Sequence, residues 1–150
     1  MCGIVGIVGK EEIAPDLVKC IARLEYRGYD SCGVATLNSG GIEVRKDVGP
    51  VNQVACGQGL ALAHGGVGIA HTRWATHGGV SQENAHPHLS CDRNFAVVHN
   101  GIISNHQTLR PELQNRHHEF LSETDTEVFA HLLEATHLSG ASVDCNLISN

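Results

Sequence analysis

Along the first half of the chain, apolar positions come in short runs broken by glycine, and one stretch there carries a sustained helical period. Residues 2–8 form an Ile/Val-rich run, which predicts a buried strand opening at Cys2. From Glu11 the apolar residues Ile13, Leu17, Ile21 and Leu24 recur at three- and four-residue steps. With Pro15 early and Gly28 beyond the end, this predicts an amphipathic helix. Val34–Leu37 and Ile42–Val48 flank the turn-forming Asn38-Ser39-Gly40-Gly41 and predict a β-hairpin. Residues 49–66 mix small apolar residues with glycines and suggest loop and short helix. Residues 67–71 and 95–99 predict two further strands, each running directly into polar residues, the usual place for a site. Thr124 and Glu127 have capping-box spacing ahead of Val128, Phe129, Leu132 and Leu133, so a second firm helix is expected with Thr124 as its N-cap. Strands first and helices later, with at least one hairpin, predict an α+β fold with antiparallel sheet.

Composition narrows the function only by exclusion. The 150 residues fit one domain, and 16 acidic against 10 basic residues give a net charge of −6 without a basic run that could track phosphates. Nucleic acid is therefore not an expected partner. No apolar stretch approaches the roughly 18 residues of a membrane span, and the N-terminus lacks the basic leader of a signal peptide. The six cysteines, at 2, 20, 32, 56, 91 and 145, form neither a C-x-x-C pair nor a compact framework. Reduced thiols and a cytoplasmic location are expected. The glycine-rich Gly65-Gly66-Val67-Gly68 does not make a dinucleotide fingerprint, and no cofactor is expected.

Cys2 has a distinctive position. Removal of Met1 would leave one residue bearing both a thiol and a free α-amine. An α-amine has a pKa of roughly 7.7–8, so a fraction is neutral near pH 7 and can act as base toward its own thiol. A cysteine elsewhere in a strand would more often be a small buried hydrophobe.

The opening Cys2-Gly3-Ile4-Val5-Gly6 resembles that of the class II glutamine amidotransferases, which use an N-terminal nucleophile. Five further segments, in order, resemble the glucosamine-6-phosphate synthase family: Arg23-Leu24-Glu25-Tyr26-Arg27-Gly28-Tyr29-Asp30-Ser31, His71-Thr72-Arg73-Trp74-Ala75-Thr76-His77-Gly78, Asn84-Ala85-His86-Pro87-His88, His99-Asn100-Gly101-Ile102-Ile103 and Ser122-Glu123-Thr124-Asp125-Thr126-Glu127. The resemblance implies a four-layer α/β/β/α sandwich of the N-terminal-nucleophile amidohydrolase type, incomplete at the C-terminus. It implies a partial glutaminase domain over residues 1–137 and a divergent tail over 138–150. Such a fragment would take L-glutamine as substrate, whereas the sugar-isomerase domain that accepts ammonia in the family lies outside it.

The site roles implied by resemblance have chemical counterparts. Cys2 would attack the carboxamide, and the Asn100 side-chain amide with the Gly101 N–H would form an oxyanion hole. Arg73 would clasp the substrate α-carboxylate bidentately. Asp125, in the first helical turn, would pair with its α-ammonium. Trp74, Thr76, His77 and His86 would line the pocket, with Arg27 and Gly28 supporting the loop beside the nucleophile. Two departures from the family pattern stand out. His117 replaces the glycine of Gly-His-x-Phe where a left-handed cap favours glycine, and Pro111 is expected to interrupt a helix over 105–115, delaying its start or kinking it. The histidines at 86, 88, 99, 117 and 118 lack persuasive metal-ligand spacing, so no metal is expected. A structural or metal-binding module remains the second class of function.

Overall fold

The computed structural model describes residues 2–75 and 78–139. Its centre is a four-stranded antiparallel sheet in the order β1-β4-β2-β3, built from β1 (Gly3–Val8), β2 (Ser31–Asn38), β3 (Gly41–Val48) and β4 (Val67–Arg73). β2 and β3 are the expected hairpin, paired from Ser31↔Val48 to Asn38↔Gly41. β4 lies between β1 and β2, placing Thr72 opposite both Gly3 and Cys32.

Strand alternation divides the sheet into two unlike faces. Cys32, Val34 and Ala70 pack with Leu17 and Ile21 of α1 (Ala14–Ala22) and with Val51 and Val54 of α2 (Val51–Gln58). Leu17, Ile21, Val34 and Val51 are essentially fully buried, each contributing about 1.5–3 kcal/mol by transfer from water. The period of three and four along α1 is thus a packing stripe. Pro15 sits at its start, where the missing N–H costs no helical bond.

The opposite face carries His71 and Arg73 on β4 and Lys46 on β3, and the polypeptide over 83–88 runs across it. Lys46 Nζ donates to the carbonyl oxygens of Ala85 at 2.6 Å, Pro87 at 3.1 Å and Glu83 at 3.2 Å. Burial pushes its pKa down to about 8, while Glu127 and Glu83 oppose the shift. Beyond this segment lie the short pair β5 (His88–Leu89) and β6 (Ala96–Val97), with α3 (His106–Asn115) and α4 (Thr126–Leu138) outside them. Helices, sheet, second small sheet and helices make the four layers expected. Ile4, Val8 and Val67 are exposed, Val8 at 81%, and β1 is an edge strand among the described residues.

Three local expectations are corrected. The strand expected over 95–99 contains only Ala96–Val97, because the His99 N–H turns to His86 Nδ1 at 3.4 Å. The N-cap of α4 is Asp125, not Thr124, and it makes no side-chain cap bond. Thr124 Oγ1 instead pairs with His88 Nε2 at 2.9 Å and Ser122 Oγ at 2.9 Å. Glu127 accepts the Leu121 and Ser122 N–H groups at 2.8 and 2.7 Å, so its carboxylate caps the preceding loop. α3 includes Pro111 without interruption. As expected from the missing glycine, His117 has φ +69°. The His118 N–H reaches Leu113 O at 3.1 Å and the His117 N–H reaches Gln114 O at 3.0 Å, the paired bonds of a Schellman cap.

Candidate active site

A cavity of about 500 Å³ opens where the ends of β1 and β4 meet the 99–102 loop. Its lining includes Cys2, Arg27, Arg73, Trp74, His86, Asn100 and Gly101. Seven of the expected site residues, separated by up to 99 positions in sequence, therefore share one concavity.

Register places Cys2. Gly3 pairs with Thr72 and donates to Thr72 Oγ1 at 3.2 Å, which fixes Cys2 beside the end of β4. There Cys2 Sγ accepts the Trp74 N–H at 3.2 Å and lies 3.7 Å from Trp74 O. Gly28 permits this approach: a Cβ there would lie 2.7 Å from both Arg73 C and Trp74 N.

Asn100 is held from both ends. Its Oδ1 lies 2.9 Å from His71 Nε2, and its Nδ2 donates to Cys2 O at 3.0 Å. Burial pushes the His71 pKa down to about 4, despite the Asn100 contact favouring the charged form. The neutral ring therefore presents an Nε2–H to the Asn100 oxygen, leaving the Asn100 amide hydrogens directed at Cys2 and the cavity. His86 stacks on His71 with centroids 4.2 Å apart and meets His88 edge-on at 4.5 Å. Burial also drives the His86 pKa far down and that of His88 to about 3, so this stack packs as neutral rings.

Arg73, at the end of β4, is buried and donates from Nη1 to Gly79 O at 3.1 Å. Burial lowers its pKa, whereas Cys2, Asp30 and Asp125 favour its charge. An arginine retains its proton under such a shift. Asp125 is buried at the start of α4 and accepts the Ile103 N–H at 2.6 Å. It stands behind the cavity lining, close enough to Arg73 to act on its charge. Trp74 is 45% exposed and packs edge-on against Tyr29, so it is a rim residue and not a core one. Arg27 donates from Nε to Tyr26 Oη at 3.2 Å at the same rim. Thr76 and His77 lie outside the described residues.

Three contributions escaped the sequence reading. His71 orients Asn100, the Trp74 N–H meets the sulfur, and Asp30 Oδ2 accepts the Ala75 N–H at 2.8 Å. His71 and Asp30 fall inside the motif segments, but backbone donors leave no trace in residue type.

A layered α/β/β/α fold with Cys2 beside an Asn-Gly pair is the arrangement of the N-terminal-nucleophile glutamine amidotransferases. Residues 56–143 match the family described as "Glutamine amidotransferase domain", and the chain belongs to it. Among curated relatives, it is 52% identical over 137 residues to the isomerizing glutamine–fructose-6-phosphate aminotransferase of Sulfurisphaera tokodaii, covering 89% of this chain and 23% of that protein. It is 55% identical over 135 residues to the corresponding Vibrio cholerae protein, covering 89% of this chain and 22% of that one. The chain thus spans less than a quarter of their length. Among solved structures, glutamine phosphoribosylpyrophosphate amidotransferase from B. subtilis superposes with TM-score 0.76 at 29% identity, over 89% of this chain and 29% of that chain. Among the described residues, no helix is long and apolar enough to cross a membrane.

Proposed function

We propose that this chain hydrolyses L-glutamine to glutamate and ammonia through a glutamyl thioester on Cys2. The observation that carries the proposal is the meeting of Cys2 with Asn100, Gly101, Arg73 and Trp74 around one cavity. Loss of Met1 frees the Cys2 α-amine, which takes the thiol proton as sulfur attacks the carboxamide carbon. The developing oxyanion is met by Asn100 Nδ2–H and the Gly101 N–H. Collapse breaks the C–N bond, and the α-ammonium returns the proton to the departing ammonia. Water then hydrolyses the thioester, releasing glutamate and restoring the thiol.

Arg73 and Asp125 recognise the two charges of the amino-acid head group, with Trp74, Thr76, His77 and His86 shaping its surroundings. In a longer protein of the fructose-6-phosphate aminotransferase kind, the ammonia passes to a sugar-binding domain and forms glucosamine 6-phosphate. Residues 1–137 supply the glutaminase part of that sequence.

The proposal is tested by measuring glutamate release from Met1-free protein together with glutamine binding in a Cys2→Ala background. Arg73→Lys and Asp125→Asn are expected to raise KM at least tenfold and to weaken binding equally in the Cys2→Ala background. Unchanged glutamine binding in either variant would remove that residue from head-group recognition.

A further inference from the structure

Outside the lining of the Cys2 cavity, four side chains from three segments converge. Cys91 follows β5, His118 ends the α3 cap, and His131 and Glu134 lie one turn apart on α4. One donor atom from each falls within 4.8 Å of all the others. Cys91 Sγ is 3.5 Å from His131 Nδ1 and 4.0 Å from His118 Nδ1, and Glu134 Oε2 is 3.6 Å from His131 Nδ1. We propose that Cys91, His118, His131 and Glu134 form a binding site for a zinc-like divalent cation.

The spacings are close to those of a coordination tetrahedron. Bonds of about 2.3 Å to sulfur and about 2.0–2.1 Å to nitrogen and oxygen imply edges of about 3.6 Å for S···N and about 3.4 Å for N···O. The Cys91–His131 and Glu134–His131 edges lie within a few tenths of an ångström of those values. His118 Nδ1 instead hydrogen-bonds Glu134 Oε2 at 2.8 Å, and opening that contact by about half an ångström would admit the ion. One thiolate, two imidazoles and one carboxylate suit zinc or cobalt better than the harder calcium or magnesium.

The surroundings also fit a ligand set. Cys91 Sγ accepts the Glu119 N–H at 3.2 Å, which fixes the sulfur in place. Glu134 is held in place by the Asp92 N–H at 2.7 Å and the Cys91 N–H at 3.2 Å. His131 is fully buried and its Nε2 has no hydrogen-bond partner, but it faces Glu127 Oε1 at 3.8 Å. A proton on Nε2 toward that carboxylate leaves the Nδ1 lone pair directed at Cys91, the carboxylate–histidine arrangement common behind metal ligands. Cys91 and His131 border a cavity of about 670 Å³ that shares no lining residue with the Cys2 cavity and gives an ion access.

Binding releases the Cys91 thiol proton to solvent and leaves all oxidation states unchanged. The ion would tie α4, which begins after Asp125, to the 91 and 118 segments. The site does not depend on glutamine chemistry.

The test uses the whole chain, stripped with chelator and titrated with zinc and with cobalt(II). One ion per chain is expected by elemental analysis, with a thiolate-to-cobalt charge-transfer band, tetrahedral cobalt d–d bands and a higher Tm in the presence of zinc. Cys91→Ser should abolish the charge-transfer band and weaken zinc at least tenfold, and Cys2→Ala should leave both intact. Cys91 is exposed, so its serine variant is expected to fold, as circular dichroism will verify. Loss of the band in Cys2→Ala, zinc binding unchanged in Cys91→Ser, or no binding at micromolar zinc would each overturn the assignment.

Discussion

Asn100 is the residue on which the proposed chemistry turns, and its orientation depends on the buried ring of His71. With Asn100 Oδ1 held by His71 at 2.9 Å, the Nδ2 donors face Cys2 and the cavity. Asn100→Ala is expected to lower kcat about 10²–10³-fold, as for other oxyanion donors. His71→Ala releases the amide without deleting it, so we expect a smaller fall of about tenfold with little change in KM. The double variant should be no slower than Asn100→Ala, since both act through one amide. Multiplying losses in steady-state kinetics would show that His71 acts elsewhere. The sequence marked Cys2, Arg73, Trp74, Asn100 and Asp125 because their chemistry resides in the side chain. The Trp74 N–H at the sulfur was not legible, since any residue but proline supplies that donor.

At the scale of elements, apolar periodicity located α1, the β2–β3 hairpin and β4 because each packs against the central core. Where polar side chains take over the bonding, the same rules failed. His99 leaves its strand for His86, and Thr124 gives up capping for His88. Both segments border the buried histidine stack, whose tertiary bonds outweigh local preference. The α3 terminus behaves as expected, with His117 in a left-handed conformation that favours glycine. His117→Gly should stabilise the fold by about 0.5–1 kcal/mol, the relief at φ +69° being partly offset by the greater freedom of glycine when unfolded. Chemical denaturation measures this. A destabilised glycine variant would mean that the His117 side chain makes a contact worth more than its strain.

For the whole molecule, three neutral histidines between the two sheets make stability depend on pH. Burial lowers the pKa of His71 to about 4, that of His88 to about 3 and that of His86 further. Arg73 and Lys46 add to the penalty on protonating His86 and His88. Below the unfolded value of about 6.5, the unfolded chain takes up protons that the folded chain refuses, so stability falls with pH. Each histidine contributes up to about 1.4 kcal/mol per pH unit, starting near pH 6.5 and ending at its folded pKa. Glu127 adds a loss at lower pH. Burial would raise its pKa, but nearby His131 and the hydrogen bonds from Leu121 and Ser122 hold it at about 2, so its contribution disappears only as pH falls from about 4.5 toward that value. Urea unfolding should show proton uptake rising from under about one at pH 7 to nearly three at pH 5, and His88→Gln should reduce the uptake at pH 5 by about one. A flat profile would mean that these rings are hydrated.

The central claim is that Cys2, exposed as the first residue, is a nucleophile for a glutamine-shaped electrophile. Its most direct test is intact and peptide mass spectrometry after treating the folded, Met1-free chain with a glutamine-like electrophile, with and without excess glutamine. One adduct per chain is expected, located on Cys2, suppressed by glutamine and absent when Met1 is retained. Labelling spread over Cys20, Cys56 and Cys91, or equal labelling with Met1 in place, would contradict it.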